Sequence, residues 1–186
     1  MTAGTDKART RLFDIIKQKS FVRGHVVLAS GKESDHYFNM KPSMLDPEGA
    51  TLLGSLLLDK IEGVQADGIG GLEMGAVPLV APIAVESFRR GKPIPGFFVR
   101  KAQKGYGAQK QIEGMNDVKG KRLVIVEDVT TTGGSAMKAL DVLKEAGAQI
   151  VMVISILDRE EGAVDLYREA GIPFAYLFQA SEFLRG

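Results

Sequence analysis

The chain has 186 residues, enough for one α/β domain with a substantial core, and its 45% hydrophobic and 25% charged residues are ordinary for a soluble protein. A net charge of +1 gives no basis for a nucleic-acid partner or an acidic membrane surface, and the lack of cysteine excludes disulfides, thiolate metal sites and cysteine nucleophiles. The polar N-terminus does not resemble a secretory signal, and the most apolar stretch, residues 77–85, is far below the roughly 20 residues that cross a bilayer. We therefore expect a soluble, cytoplasmic protein without a membrane partner.

The first part of the chain predicts two helices separated by two short strands. Apolar residues between Leu12 and Ile16 recur at helical spacing. Strand-like segments follow at 25–28 and 36–40, with a glycine-containing turn between them. A second helix begins near Pro47, a residue that the first turn of a helix tolerates.

After residue 67 the pattern changes to short apolar strands that alternate with helices. The strands are predicted at residues 68–70, 96–100, 122–128, 150–158 and 174–178. The helices between them are predicted at residues 76–90, 134–145 and 164–170. Continuous apolar runs such as 123–126 are typical of strands buried on both faces, so we predict an α/β fold with a mostly parallel central sheet flanked by helices.

Two adjacent acids, Glu127 and Asp128, end one of these buried strands and precede a segment that we call the phosphate loop. Its members are Val129, Thr130, Thr131, Thr132, Gly133, Gly134 and Ser135. Hydroxyls, tight-turning glycines and N–H groups at a helix N-terminus form a cradle for a phosphate, while carboxylates accept hydrogen bonds from ribose hydroxyls. A Walker A loop is excluded because it requires a lysine directly after its last glycine, and residues 127–137 contain no lysine. The acids alone would be read as solvated charges at a strand end, but the combined segment indicates a ribose 5-phosphate ligand.

Residues 124–135 resemble the signature of type I phosphoribosyltransferases, which bind phosphoribosyl pyrophosphate (PRPP). The resemblance implies that Glu127 and Asp128 hold the ribose and that the phosphate loop wraps the 5′-phosphate. It also implies one phosphoribosyltransferase domain over residues 1–186, with a helix and a small substrate hood over 1–45 and a PRPP-binding core over 67–178. The glycine-rich residues 70–76 correspond to the pyrophosphate turn, where Glu73 and Met74 would contribute main-chain groups.

Further segments resemble the orotate phosphoribosyltransferases in particular. Residues 28–39 are similar to the element that roofs the pyrimidine, which makes Tyr37 and Phe38 candidate orotate contacts; the alternative is two core aromatics on a strand. Many relatives carry a lysine where this chain has Ala29, so Lys32 or Lys41 would have to supply that contact. In the same way, Arg159 is placed beside the pyrimidine.

Arginine offers a planar pair of donors that matches a carboxylate, and orotate differs from uracil by its carboxylate. The resemblance places Thr131 beside Arg159 in this contact. The alternative reading is an arginine at a strand end that is paired with Asp158.

Residues 100–107, which we call the basic loop, carry three cations, Arg100, Lys101 and Lys104. Taken alone this segment would be a solvated connection between strands, but it resembles the family's mobile catalytic loop, which closes over pyrophosphate. The resemblance makes Lys104 and Arg100 catalytic together with Asp128. Relatives usually have a histidine where this chain has Tyr106, which can donate a hydrogen bond but cannot carry positive charge.

The implied activity is Mg²⁺-dependent transfer of the 5-phosphoribosyl group from PRPP to orotate, giving orotidine 5′-monophosphate and pyrophosphate for UMP biosynthesis. The ion would bind mainly through PRPP and water, without a dedicated set of protein ligands. The resemblance further implies a homodimer whose basic loop is shared across the interface. One alternative is a purine phosphoribosyltransferase, which would not need an arginine that reads a carboxylate; another is a PRPP-sensing regulator without catalysis, which could lose the basic loop.

Overall fold

The computed structural model describes residues 3–27, 33–102 and 111–185. In chain order the helices are α1 (Ala3–Lys19), α2 (Lys41–Met44), α3 (Pro47–Lys60), α4 (Val77–Arg89), α5 (Gly134–Glu145), α6 (Ala163–Glu169) and α7 (Ala180–Leu184). The strands are β1 (Phe21–Val27), β2 (Glu33–Phe38), β3 (Gly68–Leu72), β4 (Gly96–Val99), β5 (Ile112–Glu113), β6 (Arg122–Thr130), β7 (Gln149–Asp158) and β8 (Phe174–Gln179). Within the described ranges, every helix is too short or too polar to span a bilayer.

The main sheet has the strand order β5-β4-β3-β6-β7-β8. All neighbouring strands are parallel except β5, which runs antiparallel to β4. This confirms the predicted α/β fold with a mostly parallel sheet. After β3 the chain adds β4 on one side and later β6 on the other, so a topological switch point lies between β3 and β6. In open sheets of this kind the ligand crevice lies at the carboxyl ends of the strands beside that point.

The two faces of the sheet are covered by different helices, which explains the continuous apolar strands. In β6, Val124 and Val126 belong to a core formed with α1, α3 and α4. The alternate residues Leu123 and Ile125 belong to a second core formed with α5 and α6. All four side chains are fully buried, because side chains alternate between the faces and both faces are covered.

A separate antiparallel hairpin, β1–β2, joins the N-terminal helix to the C-terminal one through aromatic rings. Phe38 of β2 lies 5.0 Å from Phe21 and 5.4 Å from Phe183 of α7, measured between ring centroids. Phe13 of α1 stacks on Phe183 at 4.3 Å. The two strands begin and end earlier than the predicted 25–28 and 36–40, because their pairing and not their apolar content sets their limits.

Three short elements, α2, β5 and α7, were not predicted. Each has five residues or fewer, which is too short to show a hydrophobic period. The longer elements agree with the prediction to within a few residues, and α5 agrees at both ends.

Candidate functional site

Glu127 and Asp128 lie inside β6 and not at its end, which corrects the predicted strand 122–128. Parallel pairing with β7 continues to Thr130, which lies opposite Asp158. The strand is longer than expected because this ladder fixes the backbone beyond the apolar run. The phosphate loop therefore begins as extended strand and turns only over residues 131–133 before α5 starts at Gly134.

The turn after β3 lies directly against Asp128 at the switch point. A Cβ atom placed on Gly75 would come within 2.5 Å of Asp128 Oδ1, so any larger residue would force this carboxylate to shift. Gly70 and Gly71 were predicted to let the backbone come close to pyrophosphate, but in the structure they make room for neighbouring strands. They lie within β3, where a side chain would collide with the carbonyl oxygens of Phe97 and Val126.

Glu127 is a buried carboxyl with no compensating cation described beside it. Its exposed fraction is 7%. Burial, and secondly the charge of Asp128, raises its pKa from 4.5 to about 8. Glu127 is consequently mostly protonated at neutral pH in the ligand-free protein, whereas Asp128 is partly accessible. The two adjacent acids thus present different environments to a ligand.

The end of the phosphate loop depends on Gly133 and on a tyrosine below it. Gly133 adopts a left-handed conformation, with φ of 86°. The fully buried Tyr167 of α6 donates a long hydrogen bond of 3.4 Å to the Gly133 carbonyl. Burial, followed by the charges of Glu127 and Asp158, raises the pKa of Tyr167, so it stays a donor. Tyr167 was not predicted as a site residue, because nothing local to α6 indicates a contact with the loop.

Polar atoms without hydrogen-bond partners in the described structure collect at the carboxyl edge of β6 and β7. Thr130 Oγ1 and Asp158 Oδ2 are both buried and unpaired there, on residues that are 2% and 1% exposed. The two residues face each other in the strand ladder, so their side chains lie on the same face of the sheet. Buried polar groups are nearly always satisfied, so unpaired ones beside a crevice indicate a place where a ligand completes them.

Arg159 lies beside the start of the phosphate loop, and its contact with the pyrimidine stays a prediction. Its backbone N–H donates to the Thr130 carbonyl at 2.9 Å, which places it next to Thr131. Its Nε lies 2.9 Å from Glu161 Oε1 in an ion pair that lacks hydrogen-bond geometry. The alternative pairing with Asp158 is not found; Asp158 instead accepts a hydrogen bond from the backbone of Glu160. Only 9% of the Arg159 side chain is exposed, so the guanidinium is largely enclosed by the protein.

The start of the basic loop follows β4 at the same edge of the sheet. Arg100 and Gln111 are joined by two hydrogen bonds, which brings the two ends of the intervening segment together. The Lys101 backbone N–H donates to Glu73 Oε1 at 3.0 Å, so the Glu73 side chain also ties the turn after β3 to this loop. Arg100 Nε is buried and has no hydrogen-bond partner among the described residues. Lys104 and Tyr106 lie outside the described residues.

The two candidate orotate contacts on the hairpin lie on opposite faces of β2. Phe38 is 5% exposed and packs in the aromatic core described above, whereas Tyr37 is 40% exposed. Only Tyr37 therefore has a ring surface open to a ligand, and a contact by Phe38 would be through its backbone. Ala29 and Lys32 lie outside the described residues; Lys41 is exposed at the start of α2.

The structure thus brings together the ends of β3, β4, β6 and β7. These ends carry Met74, which is 58% exposed, together with Glu73, Arg100, Asp128 and Arg159. The sequence indicated Asp158 only as a possible partner of Arg159, and it did not indicate the contact of Gly75 with Asp128. The lone Gly75 between Met74 and Ala76 was a signal, but its partner is 53 residues away in the chain.

Comparison with protein families gives a match over the part of the chain that carries this site. Residues 46–170 match a model described as phosphoribosyl transferase domain. An orotate phosphoribosyltransferase of Bradyrhizobium diazoefficiens is 56% identical over 181 residues, which cover 96% of this chain and 97% of that protein. One of Sorangium cellulosum is 39% identical over 186 residues, covering 99% and 97%. The similarity therefore includes nearly the full length of both relatives.

Comparison with solved structures agrees with the comparison of sequences. The crystal structure of Mycobacterium tuberculosis orotate phosphoribosyltransferase in complex with PRPP has a TM-score of 0.80 and 30% identity, covering 95% of this chain and 98% of that one. An adenine phosphoribosyl transferase of Trypanosoma brucei has a TM-score of 0.67 at 20% identity, which shows only a shared fold.

Proposed function

The chain belongs to the orotate phosphoribosyltransferase family, and on that premise we propose that it transfers the phosphoribosyl group of PRPP to orotate. The products are orotidine 5′-monophosphate and pyrophosphate, within UMP biosynthesis. The observation that carries the proposal is the position of Arg159 beside the phosphate loop, at the ends of adjacent strands. A cation that suits the carboxylate of orotate thus lies next to a cradle for ribose 5-phosphate.

PRPP is held at the end of β6. Asp128, and Glu127 after it releases its proton to water, accept hydrogen bonds from the ribose hydroxyls. The N–H groups over residues 131–135 bind the 5′-phosphate, aided by the positive end of the α5 dipole. The contact between Gly75 and Asp128 supports this arrangement, because it sets the ribose acid beside the turn that would receive pyrophosphate.

Orotate binds next to Thr131 and Arg159. Glu161 lies against the Nε atom of Arg159, so the two terminal nitrogens are the donors that we assign to the ligand. Those nitrogens form a pair of donors that matches a carboxylate. Bound in this way, the N1 atom of orotate faces C1′ of the ribose, with Tyr37 available as the exposed aromatic surface.

The reaction forms a bond from N1 of orotate to C1′ of the ribose while the bond from C1′ to pyrophosphate breaks, and the proton of N1 is released to the pyrophosphate or to water. Positive charge develops on the ribose and negative charge on the leaving group. Arg100, Lys101 and Lys104 neutralise the pyrophosphate, assisted by the hydroxyl of Tyr106 and by main-chain groups of Glu73 and Met74. The protein's work is to position the reactants and stabilise charge, because no covalent nucleophile is needed.

Mg²⁺ fits this site as an ion bound mainly through the substrate. Among the described residues no cluster of three or more carboxylate or histidine side chains could hold it, while Asp128 is a partly accessible carboxylate beside the turn after β3. Magnesium retains several waters and takes few protein ligands, so the donor set suits it. When bound, the ion supplies positive charge to the leaving pyrophosphate.

A spectroscopic assay tests the proposed reaction. The absorbance of orotate should fall when protein, PRPP and Mg²⁺ are mixed, and omission of Mg²⁺ or addition of a chelator should stop the change. Adenine, guanine and hypoxanthine serve as competing bases. Turnover of a purine without turnover of orotate would overturn the proposal, and binding of PRPP without any turnover would favour a regulator.

We also propose a two-fold homodimer whose basic loop serves the neighbouring subunit. Two inactive variants test this, Lys104→Ala in the loop and Asp128→Asn at the ribose. Random mixing makes about half of the dimers hybrids, each with one intact site if the loop acts across the interface, so activity should recover to about a quarter of the wild-type value. No recovery, despite measured subunit exchange, would show that the loop serves its own subunit.

A further inference from the structure

Three acidic residues surround Arg159 in the turn that follows β7, over residues 158–161, which we call the arginine turn. Each carboxylate makes a different contact. Asp158 holds the inner end of the turn, Glu160 holds its outer side, and Glu161 lies against the arginine itself. These contacts decide where the guanidinium of Arg159 lies.

The inner contact shapes the backbone. Asp158 Oδ1 accepts a hydrogen bond of 3.1 Å from the backbone N–H of Glu160. Glu160 adopts a left-handed conformation with φ of 61°, which is uncommon for a residue other than glycine and persists only where its surroundings hold it. Because Arg159 also donates its backbone N–H to the Thr130 carbonyl, the turn is attached to β6 as well as to β7.

The outer contact joins the turn to the C-terminal helix. Glu160 Oε2 accepts a hydrogen bond of 2.9 Å from the backbone N–H of Ser181, in the first turn of α7. That helix is itself fixed, since Phe183 is fully buried in the aromatic core. Arg9 of α1 also pairs with Glu182 at 2.6 Å. Glu160 therefore connects the arginine turn to a rigid part of the molecule.

We propose that Glu160 is a positioning residue for Arg159, so that the C-terminal helix contributes to recognition of the orotate carboxylate without touching it. The proposal rests on the proposed function, in which the terminal nitrogens of Arg159 bind that carboxylate. Without the bond to Ser181, the turn loses its outer contact while its attachments to β6 and β7 remain, and Arg159 loses the orientation in which it meets the ligand. The effect falls on orotate and not on PRPP, because the ribose and phosphate groups belong to β6 and α5.

The experiment compares Glu160→Ala with Glu160→Gln, whose amide oxygen can still accept the Ser181 N–H. Glu160→Ala should raise the KM for orotate by roughly threefold to tenfold, with the KM for PRPP and the melting temperature nearly unchanged. Glu160→Gln should restore the orotate KM to within about twofold of the wild-type value, within the spread of a single hydrogen bond. Glu169→Gln, an exposed carboxylate on α6, is the matched control and should change nothing.

A second variant removes the donor instead of the acceptor and covers the case in which Glu160→Ala does not fold. Ser181→Pro takes away the backbone N–H at a position in the first turn of α7, where proline is tolerated. It should raise the orotate KM as Glu160→Ala does. If the KM for PRPP rose as much as the KM for orotate, or if Glu160→Gln failed to restore the orotate KM, the positioning role would be wrong.

Arg159→Ala, measured in parallel, separates this inference from the function on which it rests. If Arg159→Ala raises the orotate KM while Glu160→Ala and Ser181→Pro do not, the positioning role is wrong and the proposed function stands. If Arg159→Ala itself leaves the orotate KM unchanged, the assignment of Arg159 to orotate is wrong.

Discussion

The buried carboxyl of Glu127 should make the stability of the ligand-free protein depend on pH. Its pKa is about 8 in the folded protein and near the ordinary 4.5 when the chain unfolds. Between these values the folded state binds a proton that the unfolded state has lost. The contribution of Glu127 to the free energy of unfolding is therefore largest below pH 4.5. It decreases by about 1.4 kcal/mol for each pH unit as the pH rises toward 8.

Glu127→Gln keeps the shape of the side chain and removes its ionisation. Between pH 5 and pH 7, the wild-type protein should lose about 2 to 3 kcal/mol of unfolding free energy relative to this variant. Urea denaturation at the two pH values, extrapolated to zero urea, measures the difference. The comparison with the variant cancels the contributions of all other titrating groups.

A matched control is Glu62→Gln, an exposed carboxylate in the loop between α3 and β3. Its unfolding free energy should follow the wild-type curve at both pH values. If the curves of Glu127→Gln and the wild type are parallel from pH 5 to pH 7, then Glu127 is not a buried neutral acid, and the account of its environment given above is wrong.

Three further substitutions test the site. Arg159→Ala should raise the KM for orotate roughly 10- to 200-fold in steady-state kinetics, because a charge-assisted contact is lost, and it should change the KM for PRPP little. A KM for orotate equal to that of the wild type would show that Arg159 does not contact orotate. Gly75→Ala places a Cβ atom 2.5 Å from Asp128 Oδ1 and should raise the KM for PRPP on the order of tenfold, and unchanged kinetics would show that the carboxylate moves without cost. Gly133→Ala puts a Cβ atom on a residue with φ of +86°, 2.7 Å from the Leu166 side chain, and should lower the free energy of unfolding by about 1–3 kcal/mol in urea denaturation. An unchanged denaturation midpoint would mean that the loop relaxes.

Much of the fold could be predicted because its signals are local. Apolar runs such as residues 123–126 are long enough to indicate strands buried on both faces, and the alternation with helices indicates a parallel sheet. The phosphate loop was predictable for the same reason, since its acids, hydroxyls and glycines are consecutive in the chain. The limits of β6 were not, because pairing with β7, and not composition, carries the strand to Thr130.

The surroundings of the candidate orotate contacts could not be predicted from the sequence. Tyr37 and Phe38 are adjacent in sequence and equivalent as aromatic residues, and only the packing of β2 separates an exposed ring from a core ring. Arg159 was placed beside Thr131 by resemblance, and its backbone N–H donates to the carbonyl of the preceding residue, Thr130. Its actual partner, Glu161, depends on the left-handed backbone at Glu160, which no local sequence signal indicates.

The sequence by itself determined the class of fold, the order of the main elements and the residue types of the phosphate loop, because each depends on neighbours along the chain. Only the tertiary structure decided that Gly75 must leave room for Asp128, that Glu127 is buried enough to keep its proton, and that Glu160 is bound to Ser181. These properties arise between residues that are distant in sequence or enclosed by several elements. They depend on distance and on exclusion of water, which exist only once the chain has folded.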